Sequence, residues 1–194
     1  VVPDKYLIEQ VKKEADLLGI NTTTDKQSIE FETSKKILIC NIYELFNGQS
    51  KFGVGKSEIE IGSVVIDDAH ACIDIINKQF TITINQEDNK NLYNQIFRLF
   101  INDIRNQSLA TKLELNEPNT IGLVPFWNWH DKHQEAFKFI IENGDDNLKK
   151  FNLKLIERNF ELCRCVISSD RIEITPHVIP VQEFVSFENA KRKI

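Results

Sequence analysis

The sequence predicts a mixed α/β fold: a parallel sheet interrupted by a mainly helical insertion. Three observations lead there. Two short β-branched runs, Ile37-Leu38-Ile39-Cys40 and Ser63-Val64-Val65-Ile66, are each followed by a polar turn and a helical pattern. That rhythm of strand, helix, strand, turn and helix is the one produced by parallel strands with crossover connections. From residue 86 to 160 the apolar spacing is almost wholly helical, and alternating apolar segments return after it.

The first helix is announced by Asp4, which follows Pro3 and can accept a backbone N–H from the first turn. Leu7, Val11, Ala15 and Leu18 then form one apolar stripe, and Gly19 stands where a left-handed C-terminal cap is wanted. Residues 21–36 are polar and read as a loop with a short strand near 29–31. Residues 37–40 read as a strand covered on both faces, because the run is continuously apolar. Residues 41–46 read as a helical turn and 47–62 as a glycine-rich loop before the second strand. Phe80, Ile82 and Ile84 alternate with threonines, the pattern of a half-buried strand.

Leu92, Ile96, Phe100 and Ile104 repeat every fourth residue and predict the first helix of the insertion. A second helix is expected through Trp129, Phe137 and Ile140, and a third through Leu148, Phe151 and Leu155. Residues 162–167 and 171–175 read as strands, and 183–190 as a last helix leading to the basic end Lys191-Arg192-Lys193. The expected organisation is therefore a core part over 1–85, a helical insertion over 86–160 and a return to the core over 161–194.

Composition bounds the function. The chain has 194 residues, 41% hydrophobic and 27% charged, with 5 prolines and 7 glycines, which excludes collagen-like, low-complexity and largely disordered classes. No window approaches about 18 consecutive apolar residues, so no membrane span is expected, and no signal peptide is read at the start. The net charge of −5 gives bulk electrostatics no pull on nucleic acid, leaving a local groove as the route to such a partner. There is no methionine, and Val1-Val2-Pro3 resembles the end of a buried strand, so the expectation is an internal piece of a longer chain. Four scattered cysteines, Cys40, Cys72, Cys163 and Cys165, do not make a disulfide framework and suggest a reducing, cytoplasmic setting.

The stretch that carries chemistry is Val64-Val65-Ile66-Asp67-Asp68-Ala69-His70. Apolar residues followed by two acids put the carboxylates just beyond the carboxyl end of a strand, where open parallel sheets bind ligands. Asp67 is the candidate Mg²⁺ and cofactor residue, acting through the ion's water shell, because Mg²⁺ prefers oxygen ligands shared with nucleotide phosphates. Asp68 is the candidate catalytic group that orients the attacking water, and His70 the candidate coupling residue. The structural alternative is that the acids cap the next helix and favour the positive end of its dipole. Other signals are weaker. Cys163 and Cys165 share a strand face and are expected to pack. His130 and His133 share a helix face without enough further ligands for a metal. Trp127 and Trp129 could stack on bases, but packing of one or both is the plainer expectation.

Asp67-Asp68-Ala69-His70 resembles the Walker B, or DEAH, box of superfamily-two helicases, with Asp68 in place of the usual Glu. Val1-Val2-Pro3-Asp4 with Leu7, Gln10 and Leu18-Gly19-Ile20 is similar to motif Ia of that family, and residues 37–45 to the strand and turn before the box. Residues 187–194 resemble the lead-in to motif III. The likeness covers about 1–75 and 160–194 and leaves the helical middle unmatched. It implies a partial RecA-like domain of an ATP- and Mg²⁺-dependent helicase or translocase. The implied partners are nucleic acid, DNA rather than RNA, and a parent chain with a second RecA-like domain. It also implies nucleic-acid backbone contacts by Pro3, Asp4, Gln10, Asn41 and Tyr43. Gly53-Val54-Gly55-Lys56-Ser57 is not the phosphate loop, since that motif needs glycine at the position of Ser50 and a helix after the serine. The segment alone is therefore expected to be inactive. The reading from another class is a non-catalytic α/β-helical interaction module in which the acid pair is a helix cap.

Overall fold

The computed structural model describes residues 1–52, 59, 61, 63–104, 110–114, 117 and 120–180. The chain is mixed α/β, as the order of elements predicts, and folds as two compact units, Val1–Gln79 and Phe80–Ile179. The segment Gly53–Ser57 and the helix expected over 183–190 lie outside the described residues. Among the described residues no helix is long and apolar enough to cross a membrane.

In the first unit, α1 (Tyr6–Leu17) begins where Asp4 Oδ1 accepts the N–H groups of Tyr6 at 2.7 Å and Leu7 at 3.3 Å. It ends at Gly19, whose φ of 68° lets Gly19 donate to Asp16 O and Ile20 to Ala15 O, the paired bonds of a left-handed cap. β1 (Thr22–Thr23) pairs in parallel with β2 (Ile37–Leu38). Where a short strand near 29–31 is expected there is instead a helical turn, α2 (Ile29–Glu32), because Ser28 O accepts from both Phe31 and Glu32. Acidic Glu30 and Glu32 suit that turn's positive end.

The remaining helices of this unit are α3 (Ile42–Leu45) and α4 (Ala69–Gln79). Val2, Ala15, Ile39, Cys40, Ile42, Leu45, Phe46, Phe52, Cys72 and Ile76 are among its buried apolar residues. The two strands expected to be buried are covered less than predicted. Ile37 is 61% exposed, while Ile39 and Cys40, on opposite faces, are 5% and 4% exposed, so the first run is covered on both faces only at its carboxyl end. Residues 63–66 form no ladder, and Val65 is 82% exposed. A run of β-branched residues encodes extension; it does not by itself supply the neighbour that would bury it.

The second unit is a four-stranded antiparallel sheet with helices on one face. Its elements are β3 (Ile82–Asn85), α5 (Lys90–Ile104), α6 (Ala110–Glu114), β4 (Ile121–Leu123) and α7 (Phe126–Asn143). A wide helical turn over Leu148–Leu153, α8 (Lys154–Ile156) and a tight 3-10 segment over Glu157–Leu162 then lead into β5 (Cys163–Ser168) and β6 (Arg171–Pro176). The strand order is β3-β6-β5-β4. β4 thus lies inside the stretch expected to be helical. The strands over 162–167 and 171–175 form as predicted, but they pair with β3 and β4 rather than returning to a parallel core.

The physical reason is visible in the alternation. Ile82, Ile84, Cys165, Ile167, Ile172 and Ile174 are buried, whereas Thr83, Arg164 and Arg171 between them are exposed. One-sided burial is the habit of antiparallel sheets, and parallel strands are covered on both faces. The covered face is closed by the predicted stripe Leu92, Ile96, Phe100 and Ile104 of α5, all fully buried, and by Trp129, Ala136 and Ile140 of α7. Trp129 stacks on Phe100 at 5.7 Å between ring centres and donates its Nε1–H to Phe160 O at 3.1 Å. α5 and α7 are also tied by Lys132, whose Nζ lies 2.6 Å from Asp103 Oδ2, with Asn128 donating to the same carboxylate at 3.1 Å.

Gly122 of β4 marks a close approach of side chains in this core, since a Cβ there would lie 2.9 Å from Ile104 Cγ2 and 3.1 Å from Leu113 Cδ1. Gly122→Ala should therefore destabilise the second unit by about 1–3 kcal/mol, the usual cost of overpacking. Urea unfolding followed by tryptophan fluorescence measures it, and an unchanged midpoint would show that the two aliphatic side chains simply step aside.

Candidate functional site

Backbone pairing at the start of the chain assembles the candidate site. Val2 donates to Cys40 O at 3.0 Å and accepts from Ile42 at 2.8 Å, a parallel bridge to Asn41. On its other side the Val1 ammonium donates to Val65 O at 2.7 Å, and Asp67 donates to Val1 O at 2.9 Å. That second pair of bonds also has the parallel pattern. Residues 37–41, 1–2 and 65–67 therefore run side by side in one direction. Their carboxyl ends open onto Asn41, Pro3-Asp4 and Asp67-Asp68 at a common edge. The sequence places the acid pair beyond a strand end, and the backbone bonds add two neighbouring ends beside it.

The two acids differ. Asp67 is exposed, and no described residue gives its carboxylate a hydrogen bond or an ion pair. Its backbone carbonyl accepts the Cys72 thiol at 3.4 Å. Asp68 is also exposed, but its Oδ1 accepts the Ala71 N–H at 3.2 Å, and its carbonyl accepts from Cys72 at 3.0 Å. Asp68 is thus the N-cap of α4, as the structural alternative expects. Its φ of 49° lies in the left-handed region, where only glycine, asparagine and aspartate sit at modest cost. His70 follows in the first turn of α4 and is exposed.

Of the residues expected to meet nucleic acid, Pro3 is buried, which withdraws its side chain from any track. One oxygen of the Asp4 carboxylate, Oδ1, is occupied by the two α1 N–H groups described above. Asn41 caps α3 by accepting from Glu44 N–H at 3.0 Å, while Glu44 Oε2 accepts from Asn41 N–H at 3.2 Å. Lys26 joins this box with an ion pair to Glu44 Oε1 at 2.9 Å. The Asn41-x-x-Glu44 spacing is a capping-box signal that the motif comparison passed over. Tyr43 is 46% exposed on α3. Gln10 lies on the exposed side of α1, where it donates to Glu14 at 3.2 Å, and it is not brought to the strand ends.

An edge bearing Asp4, Asp67 and Asp68 is anionic, so a polyphosphate approaches it only with a cation between. Among the described residues no three His, Cys, Asp or Glu side chains are grouped to hold a metal ion. That does not conflict with Mg²⁺, which keeps several waters and is held through one or two carboxylates plus substrate phosphates. The unpartnered Asp67 carboxylate suits such outer-shell contact.

The weaker motifs resolve structurally. Trp129 is buried and Trp127 is 69% exposed. The His130 and His133 rings lie 5.8 Å apart, and His133 Nδ1 is engaged by His130 O at 2.6 Å, so the two rings do not converge on a shared ligand. Cys163 and Cys165 point into the core; burial pushes the Cys163 thiol up to about 12 and raises that of Cys165 further, so both stay protonated and inert. Compared with known proteins, the chain matches no family model, no curated protein sequence and no solved structure.

The division of labour between the acids is measurable as stability. Asp68→Ala removes a cap and leaves a Cβ-bearing residue without side-chain compensation at positive φ, and should cost about 1–2 kcal/mol. Asp68→Gly should be within a few tenths of a kcal/mol of the parent. Asp67→Ala should shift stability by less than about 0.5 kcal/mol. Thermal and urea unfolding of the three variants decide it; a large loss for Asp67→Ala would make that acid structural.

Proposed function

We propose that the first unit is the metal-and-nucleotide edge of an ATP-dependent nucleic-acid helicase or translocase, resembling the DEAD/DEAH-box type. In this proposal the phosphate-binding loop and the second RecA-like domain lie outside residues 1–194. One observation carries the proposal: three parallel chain ends meet at an edge where the Asp67 carboxylate has no partner among the described residues. An exposed acid at the carboxyl ends of parallel strands, unspent on capping or pairing, is what an outer-shell Mg²⁺ contact requires.

Within it each residue has a distinct task. Asp67 holds a water of the ion's hydration shell; Mg²⁺, when bound, supplies neutralisation of charge on the nucleotide phosphates. Asp68, anchored as the N-cap of α4, keeps its second carboxylate oxygen available to accept a proton from the attacking water. His70, two residues on, takes the role of sensing the state of that edge. Tyr43 offers an exposed ring and hydroxyl near the end of the neighbouring strand for a nucleic-acid backbone contact.

Asp68's cap bond favours a second reading, an interaction module whose acids serve only the start of α4. Asp67 separates the two, because a cap role leaves it idle. In the longer protein containing this segment, Asp67→Asn should lower Mg²⁺-dependent ATP hydrolysis by at least about 100-fold with the fold unchanged. Turnover within about twofold of the parent, or none in the parent with or without DNA, would instead support the interaction module.

A further inference from the structure

The second unit carries a groove that no motif foreshadows. α7 and the 3-10 segment over Glu157–Leu162 frame an open groove of about 370 Å³. Phe137 and Phe160 line it, their rings 5.1 Å apart at a steep angle, with Phe160 held from behind by Trp129 at 5.2 Å. Phe137 is half-buried, so part of its ring is open to a ligand. Glu157 and Glu161 line the same groove with Arg158 and His133. The backbone breaks at Asn159, with φ −119° and ψ 20°, and residues on both sides of the break thereby reach one groove.

Charge and shape together narrow the ligand. Among the described residues, Glu157, Arg158 and Glu161 have no ion-pair partner, so two carboxylates face the groove against one guanidinium and leave it net acidic. An anion would meet both of them, and a neutral apolar ligand would desolvate them without return. A cation on an apolar stem satisfies both features, since aromatic faces attract cations and carboxylates bind guanidinium and ammonium groups through charge-assisted hydrogen bonds. We propose that this groove binds an alkyl guanidinium or ammonium group, its head between Glu157 and Glu161 and its stem against Phe137. Arg158 opposes the head and sets a limit on affinity. The proposal rests on the second unit alone and goes beyond any nucleotide chemistry of the first.

The test is an amide-resolved NMR titration of residues 1–194 at pH 8 with n-butylguanidinium, with blocked N-acetyl-arginine methylamide, and with neutral butylurea. The expected result is saturable shifts confined to residues 133–137 and 157–161, with butylurea at least about tenfold weaker. Glu157→Gln with Glu161→Gln should weaken butylguanidinium by about tenfold or more, and Arg158→Gln should tighten it several-fold. All three sites are exposed and glutamine is isosteric with glutamate, so far-UV circular dichroism should match the parent. Tighter binding of the blocked arginine than of butylguanidinium identifies a peptide side chain as the source, and equal or weaker binding a free alkyl guanidinium. Equal binding of butylurea, undiminished binding by the double variant, or shifts that never saturate would each overturn the proposal.

Discussion

Everything at the candidate site depends on a pair of residues whose side chains do no chemistry. Val1 and Val2 hydrogen-bond on one side to residues 40–42 and on the other to residues 65–67. Without that bridging, the acid pair would be the end of an isolated extended segment, because residues 63–66 form no ladder. Buried backbone groups have to find partners, and here each partner also fixes a direction. The parallel sense puts three carboxyl ends at one edge, and the position of Asp67 follows from it. Val2 is 1% exposed, so packing holds the bridge as well as hydrogen bonding.

The same constraint explains how unevenly the sequence could be read. Patterns that report one segment's own geometry were legible. The α5 stripe, the Asp4 cap and the left-handed Gly19 all stand where spacing and residue type put them. Patterns that need a second segment were not. A run such as Val64-Val65-Ile66 specifies an extended chain, but whether it is buried depends on what lies beside and above it, and Val65 turns out 82% exposed. β4 escaped notice because it is three residues long and contributes one buried position, a glycine. The alternation over 162–175 did carry the sign of an antiparallel sheet. It was outweighed by a family likeness that has no place for one.

At the acid pair, legibility stopped at the level of single atoms. The capping alternative treats Asp67-Asp68 as a unit, and the structure separates them. Asp68 caps α4 at a left-handed φ, while Asp67 has no described partner. The choice is forced by chain direction. A cap side chain must reach the third residue of the helix, and only Asp68 stands at the right distance from Ala71. Capping and catalysis are not exclusive, since a carboxylate has two oxygens and the cap uses one. What capping does is fix the side chain's direction, which the proposed role of Asp68 as a base one methylene shorter than glutamate would need.

The groove of the second unit lies at the opposite extreme, because its lining comes from two stretches more than a helix apart in sequence. Nothing in the spacing of His133 and Phe137 points to Glu157 and Glu161. What joins them is Trp129, which is fully buried, bonds the Phe160 carbonyl and stacks against the Phe160 ring. Trp129, one of the two tryptophans for which packing is the plainer expectation, thus serves as the post that sets α7 against the 3-10 segment. Filling the interior with that indole leaves Phe160 and Phe137 as the aromatic lining and the acids at the rim. A packing residue then determines the chemistry of a surface it does not itself reach.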